Sequence, residues 1–144
     1  MTTELHDIAT ARLRTTGQRY TTRRRALIEL LERADGPLTI PQILQLDRSL
    51  AQSSAYRNLA VLEQAEVVHR IVTNDDFARY ELAEDLTEHH HHLICRSCGS
   101  VADFTLPPAV EGELDRVLAD VADEQGFVAD HHRLDLVGFC ADCS

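Results

Sequence analysis

The chain of 144 residues has no lysine; all fourteen of its basic side chains are arginine. Any electrostatic grip on an anionic partner therefore rests on arginines alone. No stretch approaches the roughly 18 consecutive apolar residues of a transmembrane helix. The opening MTTELHDIATARLR lacks the apolar segment of a signal peptide. Glycine-rich phosphate loops, nucleophile motifs and general-base patterns are missing too, which argues against an enzyme. The expectation is a soluble cytoplasmic protein with no membrane partner and no small organic substrate. In a reducing cytosol, four cysteines argue against a disulfide framework and towards metal or redox chemistry. What is present suffices for a core: 44% of residues are hydrophobic, in a length that suits one domain or two small ones.

Charge is unevenly placed. Residues 1–80 hold eleven arginines against ten acidic residues, and residues 81–144 hold three against fourteen; balances of +1 and −11 give the net −10. Such a break suggests two functional halves meeting near Tyr80–Glu88. The acidic half repels nucleic acid but can bind cations.

In TRRRALIELLER, Ala26, Leu27, Leu30 and Leu31 form a helical stripe, with Thr22 as expected N-cap. Thr39 can cap a second helix, with Pro41 in its first turn. A third, SSAYRNLAVLEQAE, has Ser53 as expected cap and Ala55, Leu59 and Leu62 on one face; Tyr56, Arg57 and Asn58 lie mostly off it. The period then changes. VVHRIV reads as a strand, TNDD as a turn and FARYEL as a second strand. Three helices followed by a β-hairpin form the winged helix-turn-helix pattern, whose third helix enters the major groove. A small α+β domain that binds no DNA fits the same pattern.

Beyond residue 88, strands HHLIC and SVADF, a helix from about Pro108 to Gln125 and a strand in RLDLVGFC predict β-β-α-β. The helix stripe is Val110, Leu114, Val117, Leu118 and Val121, and Gly126 is a natural stop. Cys95-x-x-Cys98 and Cys140-x-x-Cys143 use the whole cysteine inventory. Two such pairs point to structural Zn²⁺ held by four thiolates, with no open coordination position. About 40 residues separate the pairs, which suggests a staple across a folded domain. A thioredoxin-like dithiol is the alternative.

The stretch EHHHHLICRSCG is internal and runs into an apolar strand, so it does not read as a tag. In a strand, successive side chains point to opposite faces. His90 and His92 then face one way, His89 and His91 the other, and one strand can serve two metal sites. A solvated, loosely metal-binding tract is the bland reading. A hairpin centred on Asp75 places His69 opposite Glu81, so His69, Glu81, His90 and His92 make an N₃O set suited to Zn²⁺, Fe²⁺ or Mn²⁺. On the other face, His89 and His91 meet His132 and an acidic helix residue, Asp115 or Glu111. His6 and His131 are read as surface residues.

These features together resemble the ferric-uptake-regulator family of metal-dependent repressors, over about Leu13 to Cys143. The carriers are Thr21-x-x-Arg24, SSAYRNLAVLEQAEVV, the Tyr-Glu-Leu before the histidines, HHHHLICRSCG and HHRLDLVGFCADC. The resemblance implies an α+β chain: a winged-helix DNA-binding domain (1–83), a hinge (84–88) and an α/β dimerisation domain (89–144) of a homodimer. It implies structural zinc on Cys95, Cys98, Cys140 and Cys143, a regulatory site including His90, His92 and Glu81, and a third site including His89, His91 and His132. His69 stands where zinc-type members place a ligand. Asp115 aligns with the third site's acidic ligand, while an insertion around Leu106–Pro108 leaves Glu111 open. Three positions depart from the family: Pro37 replaces a histidine of iron-type and peroxide-sensing members, Ala83 a cysteine of zinc-type members, and Glu66 a glycine before the wing.

The expectation is a metal-responsive repressor of metal-uptake genes that binds a double-stranded operator. Zn²⁺ or Fe²⁺ occupies the regulatory site, with zinc favoured and iron the alternative. Metal fixes the angle between the domains, and so the separation of two recognition helices. Tyr56, Arg57 and Ser54 are the expected recognition-helix contacts; Arg19, Arg23 and Arg24 would anchor phosphates. A metal-storage protein and a metallo-hydrolase are the distant rivals.

Overall fold

A computed structural model describes residues 2–73 and 77–144. Four helices and a three-stranded sheet come first: α1 (Thr2–Thr15), α2 (Thr22–Arg33), β1 (Leu38–Thr39), α3 (Ile40–Leu46), α4 (Gln52–Gln64), β2 (Val68–Val72) and β3 (Ala78–Leu82). A 3₁₀ turn (Glu84–Leu86) leads to β4 (His91–Cys95), β5 (Val101–Phe104), α5 (Pro108–Glu124) and β6 (Asp135–Gly138). The first sheet has the order β1-β3-β2, the second β5-β4-β6.

The caps explain where the helices begin. Thr21, one residue before the expected Thr22, caps α2 by accepting from Arg24 N–H. Thr39 closes a capping box with Gln42 at the start of α3. The α4 helix starts before Ser53, after an extended Ala51 with no side-chain cap. Its inner face buries Ala55, Leu59 and Leu62 against Leu27, Ile28 and Ile43. The α1 helix is an addition to the three helices expected. Leu5, Ala9 and Leu13, four residues apart, complete the same core. The same helix corrects a second expectation: His6, next to Leu5, is only 5% exposed, with Nδ1 hydrogen-bonded to the Tyr20 hydroxyl and Nε2 3.7 Å from Glu29.

The buried core cluster runs from Leu5 to Leu82 and draws no member from the second sheet. There β4 pairs antiparallel with β5 and parallel with β6, with α5 in the connection. Pro108 opens α5, and Gly126, at φ 62°, follows its end. The expected α5 stripe is present but none of its residues is buried; Val110 and Val121 are each half exposed. The β6 side chains Leu136 and Val137 are also exposed.

In the hairpin, His69 pairs with Glu81; the expected turn centre at Asp75 lies outside the described residues. Glu66, between α4 and β2, takes φ 63°, a left-handed conformation that costs a side-chain-bearing residue about 1–2 kcal/mol. Its carbonyl accepts a 2.7 Å hydrogen bond from Arg12 Nη1. Glycine relieves that strain but loses about 0.5–1 kcal/mol of backbone entropy on folding. Glu66→Gly should therefore stabilise the fold by about 0.5 kcal/mol, read as a higher urea midpoint at an unchanged m-value; a lower midpoint would refute the strain.

Candidate metal centres and nucleic-acid interface

Alternation along the histidine tract sends its side chains to two different clusters. On one side His90 and His92 join Glu81 of β3 and Asp103 of β5, with one donor atom from each residue inside a 4.8 Å set. Glu81 lies 3.0 Å from His90 Nε2 and 3.1 Å from His92 Nε2. Asp103 approaches His92 Nε2 at 3.6 Å. Sheet register supplies that carboxylate: His92 pairs with Asp103 on β5 and with Asp135 on β6. The outward Nδ1 atoms are held as well, His90 by the Glu88 carbonyl at 2.9 Å and His92 by Asp135 at 3.7 Å. Fixing the outer nitrogen leaves Nε2 free to donate its lone pair to a cation.

Burial pushes the Glu81 carboxyl up, but hydrogen bonds with His92 and His90 outweigh it and hold Glu81 below the usual carboxylate range. Burial would lower both imidazoles. Hydrogen bonds to the Glu88 carbonyl and Glu81 raise His90 instead, and Glu81 raises His92. Burial raises Asp103, against the pull of His90. Two carboxylates and two imidazoles thus share protons that a divalent cation would displace.

His69 is not part of this group. It faces Glu81 in the hairpin but is exposed, and it lines a cleft of ≈ 880 Å³ that Glu81, His90 and His92 also line. The Glu81 carboxylate is committed to His92 of β4 and to His90 just before it. Asp103 went unread in the sequence, although pairing SVADF with HHLIC across the RSCG turn would have found it. Pro37, in place of the family histidine, is buried.

On the other side, His89, His91, Glu111 and His132 form a second cluster. Glu111 takes His89 Nε2 at 2.8 Å and His132 Nε2 at 2.9 Å on one oxygen, and His91 Nε2 at 2.8 Å on the other. Hydrogen bonding to His91, against burial, holds the Glu111 carboxyl below its ordinary range. Asp115, one helical turn on, stands behind the site at 3.2 Å from His132 Nδ1. Glu111, not Asp115, therefore sits among the converging nitrogens. Glu84 pairs with His89 Nδ1. His91 is 1% exposed. Three imidazoles and a carboxylate suit a divalent transition metal.

The third cluster is Cys95, Cys98, Cys140 and Cys143, all free thiols. Cys95 ends β4, and the second pair follows β6, parallel to it. A tetrahedron with metal–sulfur bonds of about 2.3 Å has edges of about 3.8 Å; Cys98 and Cys140 are 3.8 Å apart. Backbone N–H groups of Cys140 and Cys98 pull the Cys95 thiol down to about 6. Ser97 lowers Cys143, but the neighbouring cysteines push it up to about 11. One thiolate forms readily and the next is opposed by its neighbours, an arrangement that a Zn²⁺ ion would neutralise.

The α4 helix presents Tyr56, 54% exposed, and exposed Arg57 to solvent. Ser54, in contrast, is 4% exposed and accepts a 3.1 Å hydrogen bond from Asn58. Arg24 is occupied as well: its Nε donates to Asn58 at 3.0 Å, and Nη1 to the Arg19 carbonyl and Gln18. Ser54 is thus bound within α4 and Arg24 ties α2 to α4, leaving Arg19 and Arg23 as the exposed ones of the three expected phosphate contacts.

A winged helix joined to an α/β half with three clusters of potential metal ligands is the arrangement expected of a metal-responsive DNA-binding regulator. The chain belongs to the Ferric uptake regulator family, whose profile matches residues 15–137. It is 34% identical over 139 residues to the ferric uptake regulation protein of Campylobacter jejuni, covering 92% of this chain and 83% of that one. The peroxide operon regulator of Bacillus subtilis is 31% identical over 136 residues, covering 92% and 88%. The Helicobacter pylori ferric uptake regulator Fur, described as having three functional metal binding sites, matches the fold at a TM-score of 0.73 and 24% identity, over 99% of this chain and 93% of that one. Among the described residues, no helix is long and apolar enough to cross a membrane.

Proposed function

We propose that this chain is a cytoplasmic, homodimeric repressor that binds operator DNA when its regulatory site holds a divalent metal. Residues 1–83 form the DNA-binding domain, 84–88 the hinge and 89–144 the dimerisation domain. One observation carries the reading. Glu81 belongs to the first sheet, and His90, His92 and Asp103 to the second half, so a cation bound by all four fixes the angle between the halves. In a dimer that angle sets the spacing of the two α4 helices against half-sites about 34–36 Å apart. The uncovered apolar residues of α5 and β6 are the surface a second copy would cover. The four cysteines hold structural zinc, and the second histidine cluster is a further metal site.

The preference for zinc rests on His69, which lies outside the group. Two nitrogens and two carboxylate oxygens, with no thiolate, do not select zinc by softness, and Asp103 in the set favours the alternative, Fe²⁺. The test is binding to a duplex selected from a random library by the metal-loaded protein, titrated with Zn²⁺, Fe²⁺ and Mn²⁺ at buffered free concentrations. Binding indifferent to all three metals would end the reading.

With a net charge of −10, the chain depends on local arginines to hold DNA. Arg57→Ala should cost about 1–3 kcal/mol of operator affinity and relax specificity at one position, whereas Arg23→Ala should weaken all sequences alike and reduce the salt slope by about one. A wild-type affinity and salt slope in both variants would remove this face as the DNA surface.

A further inference from the structure

The turn Glu84–Leu86 connects the two sheets and touches more than its neighbours in sequence. Glu84 pairs with the outward Nδ1 of His89, whose Nε2 lies in the cluster with Glu111. Asp85 takes both terminal nitrogens of Arg12, in α1. The same guanidinium holds the Glu66 carbonyl at 2.7 Å, at the strained joint between α4 and the first strand of the wing. Consecutive residues of the hinge therefore grip a candidate metal ligand on one side and the root of the wing on the other.

We propose that this turn is a mechanical relay through which the His89, His91, Glu111 and His132 site acts on the DNA-binding half. Glu84 is a positioning residue for that site, and Arg12 with Asp85 is the link. The inference rests on the metal-dependent repressor reading. A cation on His89 Nε2 withdraws charge from the imidazole, making Nδ1–H a stronger donor to Glu84 and fixing the turn. A fixed turn holds Asp85 where Arg12 can meet it with both arms, a geometry stronger than a single ion pair. Arg12 then restrains the Glu66 carbonyl, and with it the direction in which α4 passes into β2. Asp85 and Arg12 are both partly exposed, so the pair adds little to global stability. Its effect is on the orientation of the wing.

The experiment uses the full chain with its cysteine-bound zinc and a double-mutant cycle of Arg12→Gln with Glu111→Ala. Operator affinity is measured at saturating Co²⁺, and the absorption bands of bound Co²⁺ report the metal sites. Glu111→Ala should weaken operator binding at least fivefold in the wild-type background, within the usual range of coupling between sites. In the Arg12→Gln background the same substitution should cost less than about twofold. Asp85→Asn should reproduce the Arg12→Gln result, so that misfolding of one variant does not decide the outcome. Glu84→Gln should lower the Co²⁺ affinity of this site about tenfold, as loss of an outer partner does.

Equal losses from Glu111→Ala in all backgrounds would overturn the relay while leaving metal-dependent repression intact. An unchanged Co²⁺ affinity in Glu84→Gln would remove Glu84 from it. A wild type whose operator binding ignores metal would overturn the repressor reading, and the relay with it.

Discussion

Replacing Cys140 with serine is expected to strip the chain of its tightly held zinc and release its last strand. The reason lies in how little else secures that part of the molecule. The core cluster stops at Leu82, and α5 buries none of its residues. β6 is a four-residue edge strand, paired in parallel with β4 alone. Parallel edges are slightly weaker per residue than antiparallel ones, and the cysteine pair that would hold a metal follows β6 at its C-terminal end. Structural zinc in small domains contributes an apparent 10–16 kcal/mol or so at neutral pH, far above what a four-residue strand with three exposed residues supplies. The variant should retain a cooperative unfolding transition from the N-terminal half and lose the one belonging to the second half. Zinc content measured after gel filtration should fall from one tightly bound ion per chain towards none, and sedimentation should show loss of the dimer. A zinc-free, well-folded dimer of Cys140→Ser would remove the structural-zinc assignment.

The second large effect is expected at Asp103. Glu81 and Asp103 bracket His92 from two different sheets, so deleting either carboxylate removes a donor from the group that joins the halves. Asp103→Ala and Glu81→Ala should each raise the free metal needed for half-maximal operator binding more than tenfold, since even outer partners are worth about 10–100-fold. His69→Ala should shift it less than about threefold, because its exposed imidazole lies outside the group. Matching shifts for His69 and Asp103 would restore His69 to the ligand set. Acidity should modulate the same response in a fixed direction. His90 and His92 titrate above their ordinary value, so they keep protons to a higher pH than free imidazole, at about 6.5. Metal must displace those protons, and affinity should rise with pH by up to about two decades per unit until both are neutral. A flat Co²⁺ affinity across pH 6–8 would exclude His90 and His92 as ligands.

Much of this architecture was legible because its signals are local. Cap chemistry placed α3, period two placed the hairpins, and alternation divided four consecutive histidines between two faces. Even the His69–Glu81 register followed from the position of one turn. What escaped was non-local or thin. The α1 stripe is one small or apolar residue per turn, Leu5, Ala9 and Leu13, set among polar neighbours. It gains meaning only against α2 and α4. His6 looks like a surface residue until Tyr20 folds over it. Ser54 and Arg24 carry polar side chains suited to DNA, and the sequence does not reveal that Asn58 claims both. Asp103 was within reach of the same pairing argument that found Glu81. For the third acidic position, spacing alone left Asp115 and Glu111 level, since residues four apart share a helix face; only the placement of α5 against His132 separates them.

Four adjacent codons in this chain specify donors for two centres that share no residue. Such an overlap makes the segment intolerant of length change in a way that substitutions do not reveal. Because all four are histidine, deleting one of them would leave imidazoles at the three places nearest Leu93 and bring Glu88 to the place of His89, so the Glu111 pocket would lose a donor and gain a carboxylate while the Glu81 pocket kept both of its imidazoles. A deletion of two would leave one histidine for each pocket where there were pairs. Loops elsewhere in the chain can lengthen at small entropic cost; this strand cannot, and its spelling is fixed in phase as well as in composition.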